Sequence, residues 1–276
     1  MPTPHSSTMQ APAIQRDLEF SIQAARAAGE RALALRATGR WSGEVLADVG
    51  DQAADGFLQG LVRGRYPEDG ILSEETADTR SRLEKSRVWI IDPLDGTREF
   101  SDLREDWAVH VALTVDGRCA LGAVALPAQG MTLWGVCLPG SESAGIEGPG
   151  TLAPGDSASA DPPRIAVSRS HTPNWTQTFA NSLGAKLVHA GSVGNKVGML
   201  LLGRADLYVH RKMLKEWDTC APEVVARALG WSVCRLRGEE HRYNRPDPRN
   251  DELVVCRPAW KERVLQSLEA CGATRE

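Results

Sequence analysis

The run Trp89-Ile90-Ile91-Asp92-Pro93-Leu94-Asp95-Gly96-Thr97 most constrains what this chain can fold into. An apolar, β-branched strand ends abruptly in two carboxylates three positions apart. Pro93 between them fixes φ and has no backbone N–H to donate. Gly96 permits a sharp turn. Delivering two acids to the end of a buried strand is costly unless their charge is offset. A hard divalent cation offsets it, because magnesium takes oxygen ligands from carboxylates, water and phosphate. The Leu94 carbonyl is a further candidate oxygen. The N–H groups of Gly96 and Thr97 open the next turn, where unpaired donors suit an anion such as phosphate. An isolated Asp-Gly is an ordinary turn. The apolar strand before it and the threonine after it favour a metal site.

Two more acidic stations bear on that reading. Glu74-Glu75 directly follows Ile71-Leu72-Ser73, so it too stands at a strand end and supplies a third carboxylate. Trp217-Asp218 precedes Ala221-Pro222-Glu223-Val224-Val225, a helix start in which Asp caps well and an early Pro is tolerated. Capping and metal ligation do not exclude each other.

Periodicity divides the chain. Apolar residues at helical spacing predict a long helix over 14–37 and a second over 51–65. Short strands are predicted at 70–73 and 88–91. An antiparallel meander follows over 107–115, 120–126 and 131–138, with turns at Asp116-Gly117 and Pro127-Ala128-Gln129-Gly130. Beyond a Gly-, Ser- and Pro-rich stretch with almost nothing to bury, strands at 165–167, 186–189, 205–209 and 253–256 alternate with helices over 174–183, 193–202, 218–229 and 259–271. That is an α/β rhythm. The expected organisation is a disordered extension (1–15), an α+β metal-binding lobe (16–140), a linker or loop (141–163) and an α/β lobe (164–276).

Composition narrows the partners. A formal net charge of -4 provides no global basic field for nucleic acid or an anionic membrane. No stretch approaches the roughly 20 apolar residues of a membrane span, and the polar start is not a secretory signal. The six cysteines show no Cys-x-x-Cys spacing, so a zinc site is not expected and a reducing cytoplasm fits best.

Ser73-Glu74-Glu75, then Asp92-Pro93-Leu94-Asp95-Gly96-Thr97, then Trp217-Asp218, in that order, resemble the motifs of the inositol monophosphatase superfamily. The resemblance runs from about Leu18 to the C-terminus. It implies a layered αβαβα sandwich, two or three magnesium ions, lithium sensitivity and either a monomer or a homodimer. By position it implies that Glu74, Asp92, the Leu94 carbonyl, Asp95 and Asp218 hold metal, and that Gly96 and Thr97 contact phosphate. Asp51, with the Thr97 hydroxyl, would position the attacking water. The family's Thr-x-Ala-Asp lead-in reads Asp48-Val49-Gly50-Asp51 here, which leaves Asp48 as the competing acid.

Four features resemble the branch that hydrolyses bisphosphorylated nucleotides. They are Arg98-Glu99-Phe100 after Thr97; the stretch Glu216 to Val224; Ser168-Arg169-Ser170-His171 with Gly191-Ser192-Val193-Gly194-Asn195-Lys196; and Arg211 seven positions before Asp218, where inositol-specific members place a Glu. His171, Lys196, His210 and Arg211 are therefore candidate substrate contacts, since cations make strong contacts to phosphate oxygens. The expected activity is removal of the 3'-phosphate from 3'-phosphoadenosine 5'-phosphate, and from its phosphosulfate relative, in sulfur assimilation or nucleotide recycling. Inositol 1-phosphate and fructose 1,6-bisphosphate are the alternative substrates, and a silent nucleotide- or metal-binding protein is the remaining alternative.

Overall fold

Each strand sorts its alternate residues onto two different layers, and that sorting builds the molecule. The computed structural model describes residues 11–170 and 172–274. Helices α1 (Ala11–Ala37) and α2 (Gly43–Arg65) lie on a six-stranded sheet of order β1-β2-β3-β4-β5-β6. Its strands are β1 (Gly70–Ser73), β2 (Arg87–Asp95), β3 (Ala108–Val115), β4 (Arg118–Leu126), β5 (Met131–Val136) and β6 (Ser143–Glu147). Trp89 and Ile91 of β2 face α1 and α2, meeting Ile14, Leu18, Leu46 and Leu58. Val88 and Ile90 face the other way, into a core shared with Val193 and Val197 of α5 (Val193–Leu201) and Val224 and Val225 of α6 (Glu216–Ala228).

The second sheet, of order β10-β11-β9-β7-β8, closes the other side of α5 and α6. Ala166 of β7 (Arg164–Ser168), Tyr208 of β9 (Leu207–His210) and Val255 of β11 (Leu253–Cys256) enter the α5–α6 core. Ile165, Leu207 and Val254 face outward onto α4 (Trp175–Leu183) and α7 (Lys261–Ala270). Strand β8 spans Lys186–Ala190 and β10 spans Ser232–Cys234. The result is the expected αβαβα stack. No helix among the described residues is long and apolar enough to cross a membrane.

Four details differ from the sequence expectation. Helix α2 starts two turns earlier than 51, because Leu46 and Ala47 continue its buried stripe. Strand β2 does not stop at Ile91. Asp92 pairs with His110 and Asp95 with Ala108, with a register shift between them where Pro93 interrupts the ladder. The supposed linker carries β6, which pairs with β5 from Thr132↔Glu147 to Val136↔Ser143 and forms the sheet's edge. Strand β10, only three residues long, was not anticipated.

This arrangement gathers chain ends at one place. Strands β1 and β2 are parallel, with Ser73 opposite Ile91, so Glu74 and Asp92 emerge side by side. Strands β7, β8 and β9 are parallel too, and their carboxyl ends face the crevice where ligands bind in such sheets.

Candidate active site

Asp95 is the most firmly held acid. Its Oδ1 accepts from the Val193 N–H at 3.0 Å, and its Oδ2 from the Gly194 N–H at 2.6 Å and the Ser192 hydroxyl at 2.5 Å. The carboxylate thus closes the start of α5, where negative charge is favoured. Burial opposes its ionisation, but His110, Ser192 and Lys196 outweigh burial and drive its pKa far below the usual carboxylate range. Oδ1, with one hydrogen bond, keeps lone-pair capacity for a cation.

The neighbouring acids are in the opposite condition. Asp92 is buried, and burial with repulsion from Glu74, Asp95 and Asp218 raises its pKa well above normal. Its Oδ2 has no hydrogen-bond partner. Asp218 is not the N-cap: α6 begins at Glu216, and Asp218, in its first turn, reaches back to accept the Lys215 N–H at 2.6 Å. Burial and then Asp95 push it up to about 7. Glu74 stands at the rim, and its carboxyl is also pushed up to about 7, by withdrawal from water and then by Glu75 and Asp95. Buried carboxyls that repel one another, one of them with an orphan oxygen, fit a hard divalent cation that accepts oxygen donors.

Asp51, not Asp48, reaches this cluster. Asp51 is buried with an unpartnered Oδ1, whereas Asp48 is exposed. Burial, Glu75 and Glu74 raise Asp51 to about 8, while the Thr97 hydroxyl beside it works in the other direction. Gly50 explains the departure in the lead-in. A Cβ there would stand 2.7 Å from the Phe100 ring, so glycine lets α2 close on the short helix α3 (Thr97–Ser101). The Thr97 hydroxyl also donates to the Leu94 carbonyl at 3.1 Å, leaving that oxygen its second lone pair.

A cavity of about 450 Å³ opens at the ends of β7 and β9. Ile165, Val167, Trp175, Phe179, Tyr208 and Val209 make its walls apolar, and Ser168, His210, Arg211 and Lys212 add polar groups. Tyr208 links this wall to the acids: burial, then the charges of Asp95 and Asp218, raise the pKa of its hydroxyl, and Lys196 Nζ sits 5.2 Å from its ring.

The profile of the inositol monophosphatase family matches residues 14–273. The chain belongs to the inositol monophosphatase family. It is 39% identical over 252 residues to a 3'-phosphoadenosine 5'-phosphate phosphatase of Mycobacterium leprae, covering 87% of this chain and 89% of that one. A protein of the same description from Mycobacterium tuberculosis is 38% identical over 221 residues, covering 77% and 78%. The crystal structure of CysQ from Bacteroides thetaiotaomicron, a bacterial member of the family, aligns with a TM-score of 0.74 at 27% identity, covering 88% of this chain and 97% of that one.

Within this inositol monophosphatase fold, not every sequence candidate lands in one place. His210 and Arg211 line the cavity. Lys196 does not: it is buried, its ammonium donates to the Ser192 carbonyl, and burial lowers its pKa to about 8. His171 lies outside the described residues. Arg98 is exposed, Phe100 is core, and Glu99 packs against Gly191, just before Ser192. Two residues of the site, Asp55 and His110, escaped the sequence reading, and Ser192, quoted there only within a segment resembling the nucleotide branch, has a role that was not foreseen. Ser192 holds Asp95. Asp55 holds the Glu74-Glu75 loop by accepting from Ser73 and Thr76. His110 lies between Asp92 and Asp95. A lone polar residue in the apolar run Ala108 to Leu113 was the only signal for His110, and its meaning depends on the cross-strand register.

Proposed function

We propose that the protein is a magnesium-dependent phosphatase that converts 3'-phosphoadenosine 5'-phosphate to AMP and inorganic phosphate, and removes the 3'-phosphate of the phosphosulfate relative as well. The observation that carries this reading is a buried acid cluster, together with an apolar cavity that Tyr208 links to it and whose lining includes the Arg211 guanidinium. A bisphosphorylated nucleotide presents a reacting phosphate, a flat apolar base and a second phosphate, and the site offers a place for each. The identity to phosphatases of that substrate over most of the chain supports the same conclusion.

Glu74, Asp92, Asp95, Asp218 and the Leu94 carbonyl would hold the magnesium ions. When bound, magnesium polarises the phosphoryl oxygens and offsets charge developing in an in-line displacement. The Thr97 hydroxyl and Asp51 orient the attacking water, and Asp51 takes its proton. A carboxylate raised towards neutrality suits that role, because an effective base titrates near the working pH. The Gly96 and Thr97 N–H groups contact the 3'-phosphate. The adenine enters the cavity against Trp175, and Arg211 meets the 5'-phosphate, with His210 beside it and His171 completing the nucleotide contacts. Lys196 acts from behind Ser192, where its charge offsets Asp95 and stabilises the anionic end of the substrate.

Phosphate release from 3'-phosphoadenosine 5'-phosphate, inositol 1-phosphate and fructose 1,6-bisphosphate, each with and without magnesium, tests the reading. The expected result is magnesium-dependent release with the highest kcat/KM on the nucleotide. A higher kcat/KM on either alternative overturns the substrate assignment. Release from none of the three overturns the phosphatase assignment.

A further inference from the structure

His110 is fully buried in β3, directly opposite Asp92 in the ladder. Four structural elements meet at its imidazole. Nδ1 donates to the Trp217 carbonyl at 3.1 Å, which ties the ring to the first turn of α6, one residue before Asp218. The same nitrogen lies 3.8 Å from Asp92 Oδ2. Nε2 lies 3.2 Å from Asp95 Oδ2, out of line for a hydrogen bond. The backbone of Gly194 rests on the ring: a Cβ at that position would stand 2.1 Å from Nε2. The ring therefore spaces the end of β2 from the starts of both α5 and α6.

We propose that His110 is a positioning residue for the cation centre, one that sets the distance between Asp95 and Asp218 without itself binding metal. The inference rests on the reading that these acids hold a divalent cation. Oxygen-only ligation suits magnesium. Nδ1 is already committed to a carbonyl, and Nε2 is covered by the Gly194 backbone. A ring in this position acts on the metal through the carboxylates it holds, as outer partners of metal ligands do.

Calorimetric titration of the metal-free protein with magnesium, and separately with manganese, reads this directly. His110→Ala should weaken both metals by about 10–100-fold, the usual cost of losing such a partner. The ratio of the two affinities should stay at its wild-type value. Turnover should recover at high magnesium, with the KM for substrate then unchanged. His110→Asn, which keeps an N–H donor for the Trp217 carbonyl, should lose less; it also carries the test if the alanine variant does not fold. Unchanged metal affinity in a folded variant overturns the proposal and leaves the acid cluster standing. Selective loss of manganese overturns it in favour of a nitrogen ligand. Absence of binding to the wild-type protein overturns the acid-cluster reading itself, and this inference with it.

Discussion

Asp95→Asn separates the two roles assigned to Asp95. The carboxylate accepts three hydrogen bonds from the start of α5, two at Oδ2 and one at Oδ1. An amide oriented to keep the Oδ2 partners turns its NH2 against the Val193 N–H. One buried donor is then unsatisfied, which costs about 1–3 kcal/mol. Loss of the negative charge at the start of α5 adds about 0.3–1 kcal/mol. Relief of repulsion with Asp92, Glu74 and Asp218 works against this. It does not win, because the strongly depressed pKa of Asp95 means that its surroundings favour the charged form on balance. The metal-free variant should therefore be less stable than the metal-free wild type by about 1–4 kcal/mol in urea unfolding. It should remain folded at room temperature and lose phosphate release on every substrate. A D95N protein as stable as wild type would show that the repulsion outweighs the hydrogen bonds. Near-normal turnover would remove Asp95 from the metal ligands.

Arg211→Ala should raise the KM for 3'-phosphoadenosine 5'-phosphate by about tenfold, the loss of one charge-assisted contact, and leave simple phosphate monoesters nearly unaffected; equal effects on both would count against a second-phosphate contact. Lys196→Met should instead lower kcat on both substrate types, because its ammonium lies beneath Ser192 and not in the cavity wall. Glu223→Gln tests a buried pair outside the site. Glu223 Oε2 accepts from His241 at 2.6 Å and from Tyr243 at 2.8 Å, and His241 and Arg227 hold the carboxyl down at about 2, while the pKa of His241 is raised. The Glu223 contribution is present above pH ~4.5 and is lost as pH falls through about 2, whereas the His241 contribution is present below pH ~6.5 and is lost as pH rises through its elevated value. The variant should cost about 3–5 kcal/mol near pH 5.5 and less at either extreme. A loss independent of pH in urea unfolding would contradict the pairing.

Local signals carried most of the architecture. The stripes of α1 and the alternation in β3 to β5 were readable because each strand or helix buries its own periodic face. The motif acids were readable because strand ends crowded with carboxylates have few other uses. What failed depended on contacts distant in sequence. The start of α2 was hidden because Asp48 and Gly50 break its apolar count, and the Phe100 ring with Leu94 beside it explains Gly50. Strand β6 has little of its own to bury and exists as a pairing partner for β5. His110 reads as an odd residue in an apolar strand until the ladder sets it opposite Asp92. Lys196 was expected to contact the substrate, yet α5 carries it beneath the Ser192 carbonyl.

The acid cluster should also govern how stability responds to pH and to metal. Asp51 at about 8, with Glu74 and Asp218 at about 7, all have folded values above their unfolded ones. Their contribution to folding is fully present below pH ~4 and is lost as pH rises through 7 to 8. Over that window the metal-free protein should become easier to unfold in urea, as the carboxyls ionise against one another. A divalent cation binds the ionised form, so magnesium affinity should rise from pH 6 to pH 8. Binding near pH 7 should release protons, measurable as a calorimetric heat that changes with the ionisation enthalpy of the buffer. Saturating magnesium should raise the unfolding midpoint more at pH 8 than at pH 6, since a ligand stabilises by its affinity for the native state. A magnesium affinity independent of pH, with a buffer-independent heat, would mean that the carboxyls are already ionised without metal. The burial assigned to Asp51 and Asp218, and the repulsion among these carboxyls and Glu74, would then be too weak to set the chemistry of the site.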